Sequence, residues 1–198
     1  METNLLALAV DAARAIAGGL DRLEHVVQAS ADAARAAGIP IVFFQEVHRP
    51  SGIDFGRELD GVEGEHCVDG GPGTDLEPTL RPNLDGPNHE FHIVKRRYSG
   101  FIGTDFEIVL SGLKADTLIL IGGLTDVCVH YTFADAHQRD FYVRVVADCV
   151  GGSSQYRHDA ALDAMEYLQT GAMRTTDEIL DAFAEIGAAT PVLEGAAR

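Results

Sequence analysis

Five apolar runs alternate with helical patterns along this chain, and each run ends on or near an ionisable residue. Residues 5–10 (LLALAV) read as a buried strand closed by Asp11. Residues 20–37 carry apolar positions at helical spacing and stop at Gly38, a helix-ending signal. Residues 39–44 (IPIVFF) form a second strand, followed at once by Gln45, Glu46 and His48. A short strand at 91–94 ends at Lys95, and Thr104 is placed to cap a helix running to Gly112. Residues 117–121 (TLILI) make a fourth strand closed by Gly122-Gly123, with a helix over 126–139. A fifth strand, 142–146, ends at Asp148, and helices follow at 158–169 and 176–186, the second opening on the capping sequence Thr-Thr-Asp-Glu. Residues 171–174 are a candidate short sixth strand.

This alternation predicts an α/β fold with a parallel sheet covered by helices on both faces. Such sheets bind ligands outside the carboxyl ends of their strands. Asp11, Glu46, Lys95, Cys128 and Asp148 all fall at or just after those ends, so one edge of the sheet is expected to be crowded with ionisable groups. Between residues 49 and 88 the text is rich in Gly, Pro and Asp without a sustained period. A surface excursion of that length is usually functional.

Charge excludes some partners. Lys and Arg number 15 against 31 Asp and Glu, a formal net charge of −16. Nucleic acid needs a basic patch to displace counterions, and an anionic membrane surface needs one too, so neither is expected as a partner. No apolar run approaches the ~20 residues of a membrane span. The run at 5–10 is short for a signal-peptide core, and Glu2 sits where a basic segment should be, so a cytoplasmic location is the expectation. Cys67, Cys128 and Cys149 are too few and too scattered for a disulfide framework or a paired-cysteine zinc site.

Cys128 lies in Gly122-Gly123-Leu124-Thr125-Asp126-Val127-Cys128-Val129, where a Gly-rich turn delivers a strand into a helix. A first-turn thiol is favoured as thiolate, and neighbouring N–H groups can hold an oxyanion. The same residue can equally be a buried cysteine packed as a small hydrophobe. Lys95 can simply reach solvent, or supply a fixed positive charge beside a thiolate. Asp11 can cap a helix, or take and return the thiol proton.

In the order Asp11, Lys95, Cys128, the chain resembles the isochorismatase-like cysteine hydrolases, which include nicotinamidases, N-carbamoylsarcosine amidases and biuret hydrolases. The likeness runs through Ala36-Ala37-Gly38-Ile39-Pro40, His48-Arg49-Pro50, His66-Cys67-Val68 with Gly70 to Gly73, and Lys95-Arg96-Arg97-Tyr98-Ser99-Gly100-Phe101. It ends in Gly123-Leu124-Thr125-Asp126-Val127-Cys128-Val129 with Thr132 and Ala136 beyond. The text after Asp11 departs from the pattern: Ala12-Ala13-Arg14 stands where relatives carry a Met-Gln or Val-Gln pair and then phenylalanine.

The resemblance implies one isochorismatase-like hydrolase domain over residues 1–198, with a three-layer αβα fold and a central, mostly parallel sheet. It implies an amidohydrolase with Asp11, Lys95 and Cys128 as catalytic triad, and a cis peptide at Gly123–Leu124 that aims N–H groups of Leu124 and Cys128 at an oxyanion. Glu46, His48, Tyr98, Ser99 and Phe101 are the candidate substrate-binding residues, with Phe101 equally suited to the core. The expected substrate is a small amide, urea or carbamoyl compound, cleaved without a cofactor. Nicotinamidases in the superfamily hold a divalent metal, and the matching positions here are Glu46, His48, Asp54 and His66. The text around His48-Arg49-Pro50 instead resembles the metal-free biuret hydrolase type. A homo-oligomer is implied by analogy. Two rivals stay open, an enol-ether hydrolase of the isochorismatase type and an inactive scaffold on the same fold. Cys67, Cys149, His130, His137 and His158 read as packing or surface residues.

Overall fold

A computed structural model describes residues 5–11, 21–71, 74–76 and 78–189 of the chain. The text at 12–20, which carries the departure after Asp11 and Gly18-Gly19, lies outside the described residues, as do Pro72 and Gly73. Six strands build one sheet: β1 (Leu5–Asp11), β2 (Ile41–Glu46), β3 (Glu90–Lys95), β4 (Ala115–Gly123), β5 (Tyr142–Gly151) and β6 (Met173–Arg174). Their order is β3-β2-β1-β4-β5-β6, and every pairing is parallel. Five helices accompany them among the described residues: α1 (Asp21–Ala36), α2 (Phe106–Leu113), α3 (His130–His137), α4 (Gln155–Leu168) and α5 (Thr176–Ala189).

Alternation within each strand sorts the core into two layers. Ile41, Phe43, Ile119 and Ile121 pack under Val27, Ala31 and Ala34 of α1 and Ile179 and Phe183 of α5. Their neighbours Val42, Phe44, Leu118 and Leu120 face the opposite way, onto Phe106 and Leu110 of α2, Phe133 of α3 and Met165 of α4. Side chains in a strand alternate sides, so an apolar run of four feeds both layers. The result is the expected three-layer αβα arrangement. No helix among the described residues is long and apolar enough to cross a membrane.

Element ends follow local chemistry. α1 stops where Gly38 adopts φ +70, which lets its N–H reach Arg35 O at 3.1 Å. α5 opens on a reciprocal capping box, with Glu178 N–H donating to Thr175 Oγ1 at 3.3 Å and Thr175 N–H to Glu178 Oε2 at 2.8 Å. α4 begins three residues earlier than the apolar spacing predicts, because Ser154 Oγ accepts the Arg157 N–H and caps it. The helix expected over 126–139 starts as a π-helical turn, Thr125–Val129, before α3.

One strand-end expectation is corrected. β5 runs on to Gly151, so Asp148 lies inside it, at the point where the pairing register with β4 shifts. Its carboxylate accepts the Thr176 N–H at 2.8 Å and so serves the start of α5, not the cleft.

Candidate active site

The order of the strands reverses between β1 and β4, since β2 and β3 are added to one side and β5 and β6 to the other. Ligand sites form at such a switch point. Asp11 ends β1 there, its Cα paired with Phe44 on one side and Gly122 on the other. The side chain of Asp11 lies outside the described residues. Glu46 ends β2 and Lys95 ends β3, and the two are directly paired in register. Both continue the face of Phe44 and Ile93, so both point toward the layer that holds α2, α3 and the Cys128 turn.

There they meet. Lys95 is 1% exposed, and its Nζ donates to Glu46 Oε2 at 2.5 Å and to Cys128 Sγ at 3.2 Å. Cys128 Sγ lies 3.5 Å from the same Glu46 oxygen. The thiol sits on the π-helical turn after the cis peptide Gly123–Leu124, the bond the resemblance implies. Leu124 O accepts the N–H groups of both Val127 and Val129 at 3.1 Å, which closes the turn.

Behind Glu46 lies a second layer of ionisable groups. Glu46 Oε1 accepts from His66 Nε2 at 3.2 Å, and His66 Nδ1 is 2.8 Å from Gly64 O. Burial alone would raise the Glu46 carboxyl, but the His66 hydrogen bond and the Lys95 charge outweigh it and hold it far below the usual range. The same hydrogen bond lifts His66 to about 9. His48 is fully buried, stacked on Phe55 with ring centroids 4.1 Å apart, and burial lowers its pKa. Its Nε2 stands 3.1 Å from Glu58 Oε2 and 3.5 Å from Glu46 Oε1. Burial, helped by the Glu46 charge, pushes Glu58 up to about 7.

Glu58 is a residue that sequence reasoning missed. It belongs to a short turn, Glu58–Asp60, inside the Gly/Pro/Asp-rich excursion, where no period or motif marks it. It also takes the place that Asp54 holds in the alternative, metal-bound ligand set. The Asp54 carboxylate is occupied by Arg49, whose N–H donates at 2.9 Å and guanidinium at 2.6 Å. The donor atoms of Glu46, His48, Glu58 and His66 all lie within 4.8 Å of one another. Both ring nitrogens of His48 and both carboxylate oxygens of Glu58 are buried without a hydrogen bond. Two imidazoles and two carboxylates, half of them making no hydrogen bond, fit a divalent cation such as zinc, manganese or iron.

The remaining candidates fall in different places. Tyr98 borders the site: burial and the charges of Glu58 and its neighbours push its phenol up to about 12, and its ring lies 5.6 Å from that of Tyr131. Ser99 is buried, and its Oγ accepts the Phe101 N–H at 3.2 Å, so it shapes the turn after β3. Phe101 packs in the core against Phe106, with the Arg139 guanidinium over its ring. Cys149 is fully buried against Thr176 and Ser30, and Cys67 adopts φ +48 beside His66. The Nδ1 of His158 lies 2.9 Å from Thr125 Oγ1.

Comparison with known proteins adds a frame to this geometry. The sequence model described as the isochorismatase domain matches residues 6–178. The ureidoacrylate amidohydrolase RutB of Pseudomonas savastanoi pv. phaseolicola is 28% identical over 172 residues, covering 78% of this chain and 68% of that protein. A cysteine hydrolase from Pseudomonas syringae pv. phaseolicola superposes with a TM-score of 0.80 at 24% identity, covering 91% of this chain and 93% of its own, a likeness of fold. The pyrazinamidase of Pyrococcus horikoshii, solved in complex with zinc, is 27% identical with a TM-score of 0.69, covering 86% of this chain and 97% of its own.

Proposed function

This chain belongs to the isochorismatase family, and on that premise we propose that it hydrolyses a C–N bond of a small amide, urea or carbamoyl compound with Cys128 as nucleophile. The observation that carries the reading is the 3.2 Å contact between a buried ammonium, Lys95 Nζ, and Cys128 Sγ. A fixed positive charge at hydrogen-bond distance favours the thiolate, the form that attacks carbonyl carbon.

In the proposed reaction the thiolate adds to the carbonyl, and backbone N–H groups of Leu124 and Cys128 hold the resulting oxyanion. Such donors are worth about 3–4 kcal/mol each in acyl transfer. Collapse expels ammonia or an amine, which takes its proton from an acid in the site. Water then cleaves the thioester and releases a carboxylic acid or a carbamate. Of the two carboxylates at this rim, Glu46 is poorly suited to carry the proton. Its Oε2 is taken by the Lys95 ammonium at 2.5 Å and its Oε1 by His66 at 3.2 Å, an arrangement that favours the charged form. Glu46 therefore anchors Lys95, and Asp11 at the end of β1 is assigned the role of acid and base. A divalent ion held by Glu46, His48, Glu58 and His66 would supply Lewis-acid charge beside the cleft.

Ureido compounds head the substrate panel, because RutB is named as an amidohydrolase of ureidoacrylate. Ammonia release over a panel of ureas, carbamoyl amino acids and carboxamides, with Cys128→Ser alongside, tests the reading. Turnover confined to the wild type supports it, and undiminished turnover in the serine variant sinks it.

A further inference from the structure

Thr125 opens the turn that carries Cys128, and it is fully buried. A buried hydroxyl needs a partner, and Thr125 Oγ1 finds one 2.9 Å away in Nδ1 of His158, on the first turn of α4. The next residue is gripped from the same side. Asp126 Oδ1 accepts the Ser153 N–H at 2.8 Å, and Oδ2 accepts the Ser153 hydroxyl at 2.5 Å. Gly152 lets the two segments close: a Cβ there would lie 2.7 Å from His158 Cβ and 3.0 Å from Asp126 Oδ1. His158 is itself held, its N–H donating to Ser154 O at 2.9 Å at the capped start of α4.

The bond matters because of the turn's shape. Thr125–Val129 is π-helical, wider than the α-helix it leads into, and one carbonyl, Leu124 O, serves two of its N–H groups. Turns of this kind recur at functional sites and are not the spacing a helix adopts unaided. Without an outside hold on Thr125, the segment is free to tighten toward α spacing. Cys128 and the N–H groups around Leu124 would then swing relative to one another.

We infer that His158 is a positioning residue for Cys128: through Thr125 it fixes the turn so that thiolate and oxyanion donors converge on one point. The inference rests on the reading of Cys128 as an acyl-transfer nucleophile. It predicts a defect in holding an oxyanion rather than in forming the thiolate, which Lys95 governs separately.

Two probes divide those functions without a known substrate. Iodoacetamide alkylates the thiolate and creates no oxyanion. Propionaldehyde adds reversibly: the Sγ–C bond forms, the carbonyl π bond becomes an alkoxide, and the thiol proton ends on that oxygen. In His158→Ala, propionaldehyde affinity is expected to fall about 10-fold, a misaimed donor being costly, while the alkylation rate stays at the wild-type value. His158→Asn, which keeps a polar atom near the Nδ1 position, restores most of the affinity. Thr125→Val reproduces the loss, and the double variant is no worse than either single one, as for two ends of one bond. Circular dichroism and thermal melts confirm that each variant is folded. Wild-type aldehyde affinity in His158→Ala overturns the inference, as does a parallel fall in alkylation. Wild-type protein that alkylates at Cys128 yet forms no aldehyde adduct overturns the acyl-transfer reading itself, a failure visible before any variant is made.

Discussion

Glu46 and Lys95 stand directly opposite each other at the ends of β2 and β3, and their side chains close a buried ion pair of 2.5 Å. Strand pairing sets the pair, and the pair in turn sets the position of the ammonium beside Cys128. Removing one member of a buried pair strands the other charge, at a cost of about 3–5 kcal/mol. Glu46→Gln is therefore expected to lower the urea midpoint sharply. Lys95→Met is expected to slow iodoacetamide labelling of Cys128 at pH 7 by about 10-fold, because the thiolate loses its positive neighbour. A Lys95→Met protein labelled at the wild-type rate would mean that the contact does not govern the thiol.

Cys128 and Cys149 should separate by reactivity. Cys149 is fully buried; burial pushes its thiol up, and Thr176 Oγ1 lies 3.1 Å from its sulfur. Cys128 is half-buried beside a cation. Brief alkylation of native protein, mapped by peptide mass, should label Cys128 and leave Cys149 untouched until the chain is unfolded. Early labelling of Cys149 would contradict the packing described for it.

Alternation of runs and helices made the sheet and its layers legible, because strand parity alone sorts Phe43 from Phe44 and Ile119 from Leu120. The same parity places Glu46 and Lys95 on one face. Their direct pairing is a register between strands separated by the long excursion, and local pattern carries no information about register across such a gap. Asp148 was misplaced because an apolar run shows where a strand is buried and not where it stops pairing. Glu58 was invisible for a related reason: it reaches His48 through a folded excursion whose course no periodicity records. Phe101 and Ser99 sit in a motif that marks the neighbourhood of the site, yet one fills the core and the other shapes a turn.

The buried cluster makes a statement about metal that separates Glu58 from Asp54. After chelation and dialysis, the wild type exposed to zinc or manganese is expected to retain one equivalent by elemental analysis and to melt at a higher temperature. Ligand at about 100 times its Kd adds ~2.7 kcal/mol to the folded state. Glu58→Gln should abolish the retained ion and the rise in melting temperature. Asp54→Asn should leave both in place, since that carboxylate is held by Arg49. Retention that depends on Asp54 and not on Glu58 would restore the alternative ligand set drawn from the likeness to nicotinamidases, and no retention at all would return the metal-free expectation.

At the far end of β3 from Lys95, Glu90 pins the strand to α1. Arg35 Nε donates to Glu90 Oε1 at 2.9 Å, and the Asn83 N–H to Oε2 at 2.8 Å. Burial would raise this carboxyl, but the guanidinium and the N–H outweigh it and hold the pKa below the ordinary value. A carboxyl depressed on folding stabilises the native state fully above its unfolded pKa, ~4.3 for glutamate. That stability drains away as pH falls through the lower folded value, where protonation weakens the pair. Glu90→Gln should therefore be less stable than the wild type at pH 7, by about 1–3 kcal/mol for a lost charged hydrogen bond. The gap should narrow as acid removes from the wild type what the variant already lacks. Urea titrations from neutral pH to below pH 4 measure it directly, and a gap that stays constant across that range would show that Glu90 holds β3 by shape rather than by charge.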